Sequence, residues 1–430
     1  MCVGASMRIV LAVFLLGAGL VGAEDPPARL RLADVLEQAG ERNPEIRAAR
    51  QRAAAAAAVP RRVRALDDPT FSYEVWNAPD PVRVDRADNN ILRLSQKVPF
   101  PGKRALAGEV AGREADMARS ESSGVELDVI AAVKRAYYDL WAAHELLRVY
   151  GRERELVQRF ARIAEQKYAV GAVAQSDVLR AQVELTHFIN RVTTQTLAIE
   201  GARAELNALL SRSPGDPLGV PEDPPPPRLD PDVDRLTALA AESRPEVRTQ
   251  QAAVAREEAA VRLSQRDYLP DFEFNVGRFI NPGQRDGFGA MAAVSIPIAY
   301  KWKYDAALDE ARARLGSAQA DLRRLQDRVR RDVKQAHVRA QTALLQWKLF
   351  VNTHIPQAEQ SLRVAESAYQ TGAIDWLALI DTARTLESVH LDHIQAHAEF
   401  EKAYADLERA VGTELPRGDE HVRERSAPQG

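Results

Sequence analysis

Two hydrophobic periods alternate along the chain. From Leu32 to Ala39 apolar side chains recur at helical intervals, and Asn43-Pro44 caps and restarts a second helix. The alanine tract Ala53–Ala58 carries that helix to about Leu66, where Asp67-Asp68-Pro69 ends it. The period then drops to two: Phe71, Tyr73 and Val75 alternate with Ser72 and Glu74. A polar turn from Asp80 to Asn90 leads to a second alternating run, Ile91 to Val98, closed by Pro99-Phe100-Pro101-Gly102-Lys103. Nothing breaks the helical pattern from Lys103 to Val170, which predicts one helix about 100 Å long at 1.5 Å per residue. Gly171 supplies a turn, Ser176 or Asp177 is placed to cap the next helix, and that helix returns from Asp177 to about Leu210.

The same plan then recurs. Arg244-Pro245-Glu246-Val247-Arg248 matches Asn43-Pro44-Glu45-Ile46-Arg47, Pro270 matches Pro69, and Phe272, Phe274 and Val276 match Phe71, Tyr73 and Val75. Val294 to Pro297 plays the part of Leu94 to Pro99, and Lys303 opens the second long helix, which meets Pro356 on its way to Gly372. Tyr369 and Gly372 lie 201 positions after Tyr168 and Gly171. Anchors that keep nearly one spacing over so long a stretch indicate a tandem duplication. The chain divides into a leader (1–23), a first repeat (24–213), a Pro-rich linker (214–231), a second repeat (232–412) and a polar tail (413–430). Each repeat reads helix, strand, strand, long helix, tip, helix. The helices before the strands and after the tip, stacked end to end, match the long helix in length, which predicts a rod with strands at one end and a turn at the other.

Composition narrows the class. Charged residues at 28% and aromatics at 6% fit long solvated helices better than a compact enzyme core, and a net charge of −3 argues against a nucleic-acid partner. Arg8, the apolar run Ile9–Leu16 and Val21-Gly22-Ala23 read as an export signal, with Met7 an alternative start and a membrane anchor the competing reading. The one cysteine, Cys2, precedes that run. The alternating runs have the length of tilted barrel strands, yet four strands cannot close a barrel, and lipid does not tolerate open edges. Either the hairpins are soluble or several chains share one barrel.

These residues resemble the TolC-like outer-membrane efflux channels. The resemblance covers almost all of the chain after the leader. It rests on Leu32 to Arg47 and its copy, Gln96 to Lys103, the Tyr-x-x-Gly tips, Ile355 to Glu359 and Leu379 to Leu386. It implies a fold of long helices joined to transmembrane β-strands. Three subunits would share a twelve-stranded outer-membrane barrel set in lipid and continue it as an α-helical tunnel through the periplasm. It also implies a periplasmic adaptor docking at the tips and an inner-membrane pump of the resistance-nodulation-division type. Val170-Gly171-Ala172 resembles the family's Val-Gly-Leu docking signature, with alanine for leucine, and Thr371-Gly372-Ala373 departs further. Of the two aspartates of the best-known gate, Asp381 matches one and Ala378 stands at the other. Asp177 is a second gate candidate, with a plain helix cap as its alternative. The Pro-Phe-Pro-Gly-Lys-Arg and Leu-Ile-Asp-Thr-Ala-Arg stretches look more like the heavy-metal-efflux branch than the multidrug one, which favours metal cations as cargo over small toxic organics.

Motifs of catalysis are absent from the sequence. Phe100 to Arg104 contains a Gly-Lys without the glycine-rich cradle of a nucleotide loop. No catalytic or cofactor-binding residue is assigned, and no cofactor is expected. His390, His393 and His397 share one helix face; exposed surface histidines are the reading taken, against a zinc or copper site. The alternative to a channel is a soluble periplasmic helical scaffold or pump adaptor with a small sheet.

Overall fold

The computed structural model describes residues 29–78, 87–229, 232–280 and 285–416. The leader with residues 24–28, residues 79–86 at the start of the polar turn, 230–231, 281–284 and residues 417–430 of the tail lie outside them. The first half contains α1 (Leu32–Arg42), α2 (Pro44–Val63), β1 (Thr70–Trp76), β2 (Asn89–Val98), α3 (Lys103–Ala169) and α4 (Gln175–Leu209). The second contains α5 (Val233–Ser243), α6 (Pro245–Arg266), β3 (Asp271–Ile280), β4 (Gly287–Ser295), α7 (Ala306–Leu349), α8 (Ile355–Thr371) and α9 (Trp376–Val411).

Asn43 starts α2 as anticipated, its Oδ1 accepting from the amides of Glu45 and Ile46, with Pro44 in the first turn. That helix stops at Val63, three residues before Leu66. The α3 helix is unbroken over 67 residues. It lies against α2 and α4 of its own half and against α6 and α9 of the other, so the short helices stack along the long one. Small side chains make the approach close: Ala111, Ala115, Ala131 and Ala136 are all buried along α3.

The second rod differs from the single helix expected from Lys303. A π-helical turn, Tyr300–Asp305, precedes α7, and another, Phe350–His354, joins α7 to α8 just before Pro356. The sequence contains the reason. The spacing between the halves is 198 at Pro99 and Pro297 but 201 at the tips, so the second half carries three extra residues in that interval. A π turn absorbs one extra residue without ending the helix, so the two turns take up two of the three.

The strands form one antiparallel sheet, ordered β1-β2-β3-β4, with β1 and β4 at its edges. Its register sets Phe71 opposite Leu94, Leu94 opposite Val276, and Phe272 opposite Val294. One face is therefore mainly apolar, interrupted by Gln96 and Arg278, and its Phe71, Leu94, Val276 and Phe288 are at least half exposed. The other face carries Ser72, Glu74, Arg93, Ser95, Lys97, Glu273 and Asn275, with Arg93 donating to Glu74 at 2.8 Å. β1 has seven described residues, short of the length anticipated for a spanning strand.

The linker is tied across the rod. The amide of Leu30 donates to Val220, the amide of Glu222 donates to Leu30, and the Tyr137 hydroxyl donates to the Leu30 carbonyl at 2.8 Å. Close by, buried Lys134 of α3 holds Glu408 of α9 at 2.6 Å, joining the two halves.

Candidate functional site at the helical tips

Both tips lie at the end of the rod remote from the sheet, and they share one backbone geometry. Gly171 and Gly372 have φ of 73° and 79°, a conformation that only glycine adopts without cost. The Ala172 amide reaches back to Lys167 at 2.8 Å and the Ala373 amide to Ala368 at 2.8 Å, which satisfies the last carbonyls of each helix. Val170, Gly171, Ala172, Thr371, Gly372 and Ala373 are all exposed, Val170 by 79%.

Beyond the turns the tips diverge. Asp375 caps α9, accepting from the Ala378 amide at 3.0 Å. The corresponding residue before α4 is Ala174, which has no side chain able to cap. Neither Ser176 nor Asp177 takes that role, which corrects the expectation from sequence. The helix begins at Gln175, so Asp177 already lies inside the first turn, where its charge suits the helix dipole. Tyr168 is exposed, whereas its counterpart Tyr369 is buried against Trp376, with ring centroids 6.0 Å apart. Lys167 fastens one tip to the other, its ammonium donating to the Tyr369 carbonyl and lying 4.6 Å from that ring. Burial pushes the Tyr369 hydroxyl pKa up, and the Asp177 charge adds to the shift.

Asp177 is half-buried and Asp381 is exposed on α9. Between α4 and α9 stand two ion pairs that the sequence reading missed. Arg384 donates to buried Glu184 at 3.2 and 2.5 Å, and Arg191 donates to buried Glu387. The hydrogen bond to Glu184 raises the Arg384 pKa. Burial raises that of Glu387, and Arg191 partly offsets it. A signal was present: Glu184 sits in the buried stripe Ala181–Glu184–Phe188, and Glu387 beside Ala383 and Leu386. A carboxylate in an apolar stripe calls for a cation on the facing helix.

The histidine face also needs correction. His397 is buried and His390 and His393 are half-buried, because α3 and α7 cover this side of α9. The His397 ring lies 5.0 Å from that of Trp141 and 5.7 Å from that of Trp347. The three histidines line a cleft of about 520 Å³ with Trp141, Glu145 and Arg152. Among the described residues no group of three His, Cys, Asp or Glu is arranged to hold a metal ion. Burial and the neighbouring His390 lower the His393 pKa.

Known proteins share this fold. The chain is 22% identical over 356 residues to the cobalt-zinc-cadmium resistance protein CzcC of Cupriavidus metallidurans, covering 81% of this chain and 82% of that one. Its fold matches the outer-membrane channel OprN with a TM-score of 0.74 at 20% identity, over 89% of this chain and 90% of the other. It matches CusC, described as forming a transmembrane channel, with a TM-score of 0.76 at 15% identity, over 92% and 96%. The family model for outer membrane efflux proteins matches twice, at residues 35–212 and 236–413. The chain therefore belongs to the outer membrane efflux protein family.

Proposed function

We propose that the chain is the passive exit duct of a tripartite pump, with three copies pooling their strands into one twelve-stranded barrel. The observation that carries this reading is the sheet. It has one mainly apolar and one mainly polar face, and two edge strands, β1 and β4, whose outer edges are unpaired among the described residues. Lipid demands a partner for each edge, and pairing β4 of one copy with β1 of the next supplies it. The polar face then lines a water-filled lumen, which the helices extend into the periplasm. On this reading Val170–Ala172 and Thr371–Ala373 meet a periplasmic adaptor, Asp177 and Asp381 stand near the mouth, and an inner-membrane resistance-nodulation-division pump selects the load.

Metal cations are the favoured cargo, with small toxic organics second. The named activity of CzcC supports this order, as does the resemblance of the Leu379 to Leu386 stretch to the heavy-metal branch. The test is deletion of the gene, followed by tolerance assays with zinc, cobalt, cadmium, copper and a panel of drugs. Metal tolerance is expected to fall. Loss of drug tolerance alone would reverse the order of cargo.

A further inference from the structure

The two passages from strand to rod are built differently. After β2 the chain folds inward. The Phe100 ring stacks on Phe272 at 6.3 Å and its amide donates to Asp271 at 2.8 Å. Lys103 donates to Leu269 and Asp271, each at 2.9 Å. After β4 the corresponding stretch, Ile296-Pro297-Ile298-Ala299-Tyr300-Lys301-Trp302-Lys303, turns its large side chains out. Ile296 is 71% exposed, Ile298 82% and Trp302 88%. The segment is nonetheless anchored from within. Tyr300 and Tyr304 lie 6.0 and 5.6 Å from the Tyr268 ring, and the Tyr268 hydroxyl donates to Asp305 at 2.5 Å. A fixed backbone thus presents a patch that nothing among the described residues covers.

Three features point to the occupant. Ile296 and Ile298 continue the alternation of Phe288, Ala290, Ala292 and Val294, so they prolong the apolar face of the sheet. They do so at the helix end of the sheet, opposite its hairpin turns. The patch then ends in a tryptophan between two lysines, the composition of a membrane–water boundary: an amphipathic ring at headgroup depth and ammonium groups within reach of lipid phosphate. We propose that residues 296–303 form an interfacial foot in the periplasmic leaflet of the outer membrane. Ile296, Ile298 and Trp302 enter the acyl boundary, and Lys301 and Lys303 pair with phospholipid phosphates. The proposal rests on the reading of the apolar sheet face as the lipid face.

Spin labels test it. In a Cys2→Ser background, cysteines replacing Ile298, Trp302 and, as a reference on the sheet face, Phe274 are labelled one at a time. The assembled protein is reconstituted in phosphatidylethanolamine–phosphatidylglycerol vesicles, and label collisions with oxygen and with a water-soluble nickel chelate are compared. Labels at 298 and 302 are expected to favour oxygen. Preference for nickel, or shielding from both by a second copy, overturns the foot. If the label at 274 also prefers nickel, the lipid-face reading falls too; if 274 alone favours oxygen, only the foot does. A second measurement addresses the lysines. Spin-labelled phosphatidylglycerol should associate with the protein about twofold or more in preference to phosphatidylcholine. The double substitution Lys301→Glu, Lys303→Glu should abolish that preference, and an unchanged preference would refute the phosphate contact.

Discussion

Ser211 and Gly412 end the returning helices of the two halves, 201 positions apart, and both adopt left-handed backbone, with φ of 57° and 90°. Opposite responses to substitution follow. Ser211→Gly relieves a conformation costing a non-glycine residue about 1 kcal/mol, so thermal unfolding of the purified protein should shift upward. Gly412→Ala should shift it downward by about 2 kcal/mol or more, since a Cβ there would meet the Arg244 Cα at 2.6 Å in addition to the strained φ. Histidine 393 gives a pH dependence. Its folded pKa lies below the ordinary 6.5, so the unfolded chain takes up the proton first. The stability it contributes is full above about pH 6.5 and is lost as pH falls below that value. His393→Gln should flatten the fall in melting temperature on acidification. The slope should not vanish, because burial lowers the His144 pKa as well and its effect has the same sign. Caps were only partly legible at this scale. Asn43 before Pro44 declared itself, whereas Asp177 misled because the chain needs only Ala172 to Ala174 to turn the corner.

At the scale of elements, α3 was readable because no proline or turn signal interrupts 67 residues. The π turns were not, since no residue type marks them and only the growth of the repeat spacing from 198 to 201 betrays the insertion. The ion pairs between α4 and α9 were hidden for another reason: their partners lie about 200 positions apart, and pairing requires the rods to be set side by side. The joint change Arg191→Ala, Arg384→Ala leaves Glu184 and Glu387 buried without those cations. It should destabilise the tip region by about 1–3 kcal/mol, toward the low end because both arginines are partly exposed. Faster hydrogen exchange at the start of α4 and α9, with α3 unaffected, would show it. Exchange unchanged in all three helices would mean that the apolar tip cluster alone holds the rods together.

For the whole molecule, the alternating runs revealed the strands, and the register then disclosed a sheet with one mainly apolar face. How many chains complete it is written in no one chain. Three copies should appear in the mass of the detergent-solubilised protein, measured by light scattering with the detergent contribution removed. A monomer whose strands remain in the bilayer would refute the shared barrel.

The unequal build of the two rods has a mechanical consequence. The first is a single continuous strut from sheet to tip. The second has a joint at Phe350–His354, where the hydrogen-bonding pattern of the helix is interrupted and a proline follows at once. A bending load at the tips meets a stiff member and a compliant one side by side, tied by Lys167 and by the arginine pairs. Deflection of the second rod concentrates at the joint, and the ties pass the load at its tip to the continuous strut beside it.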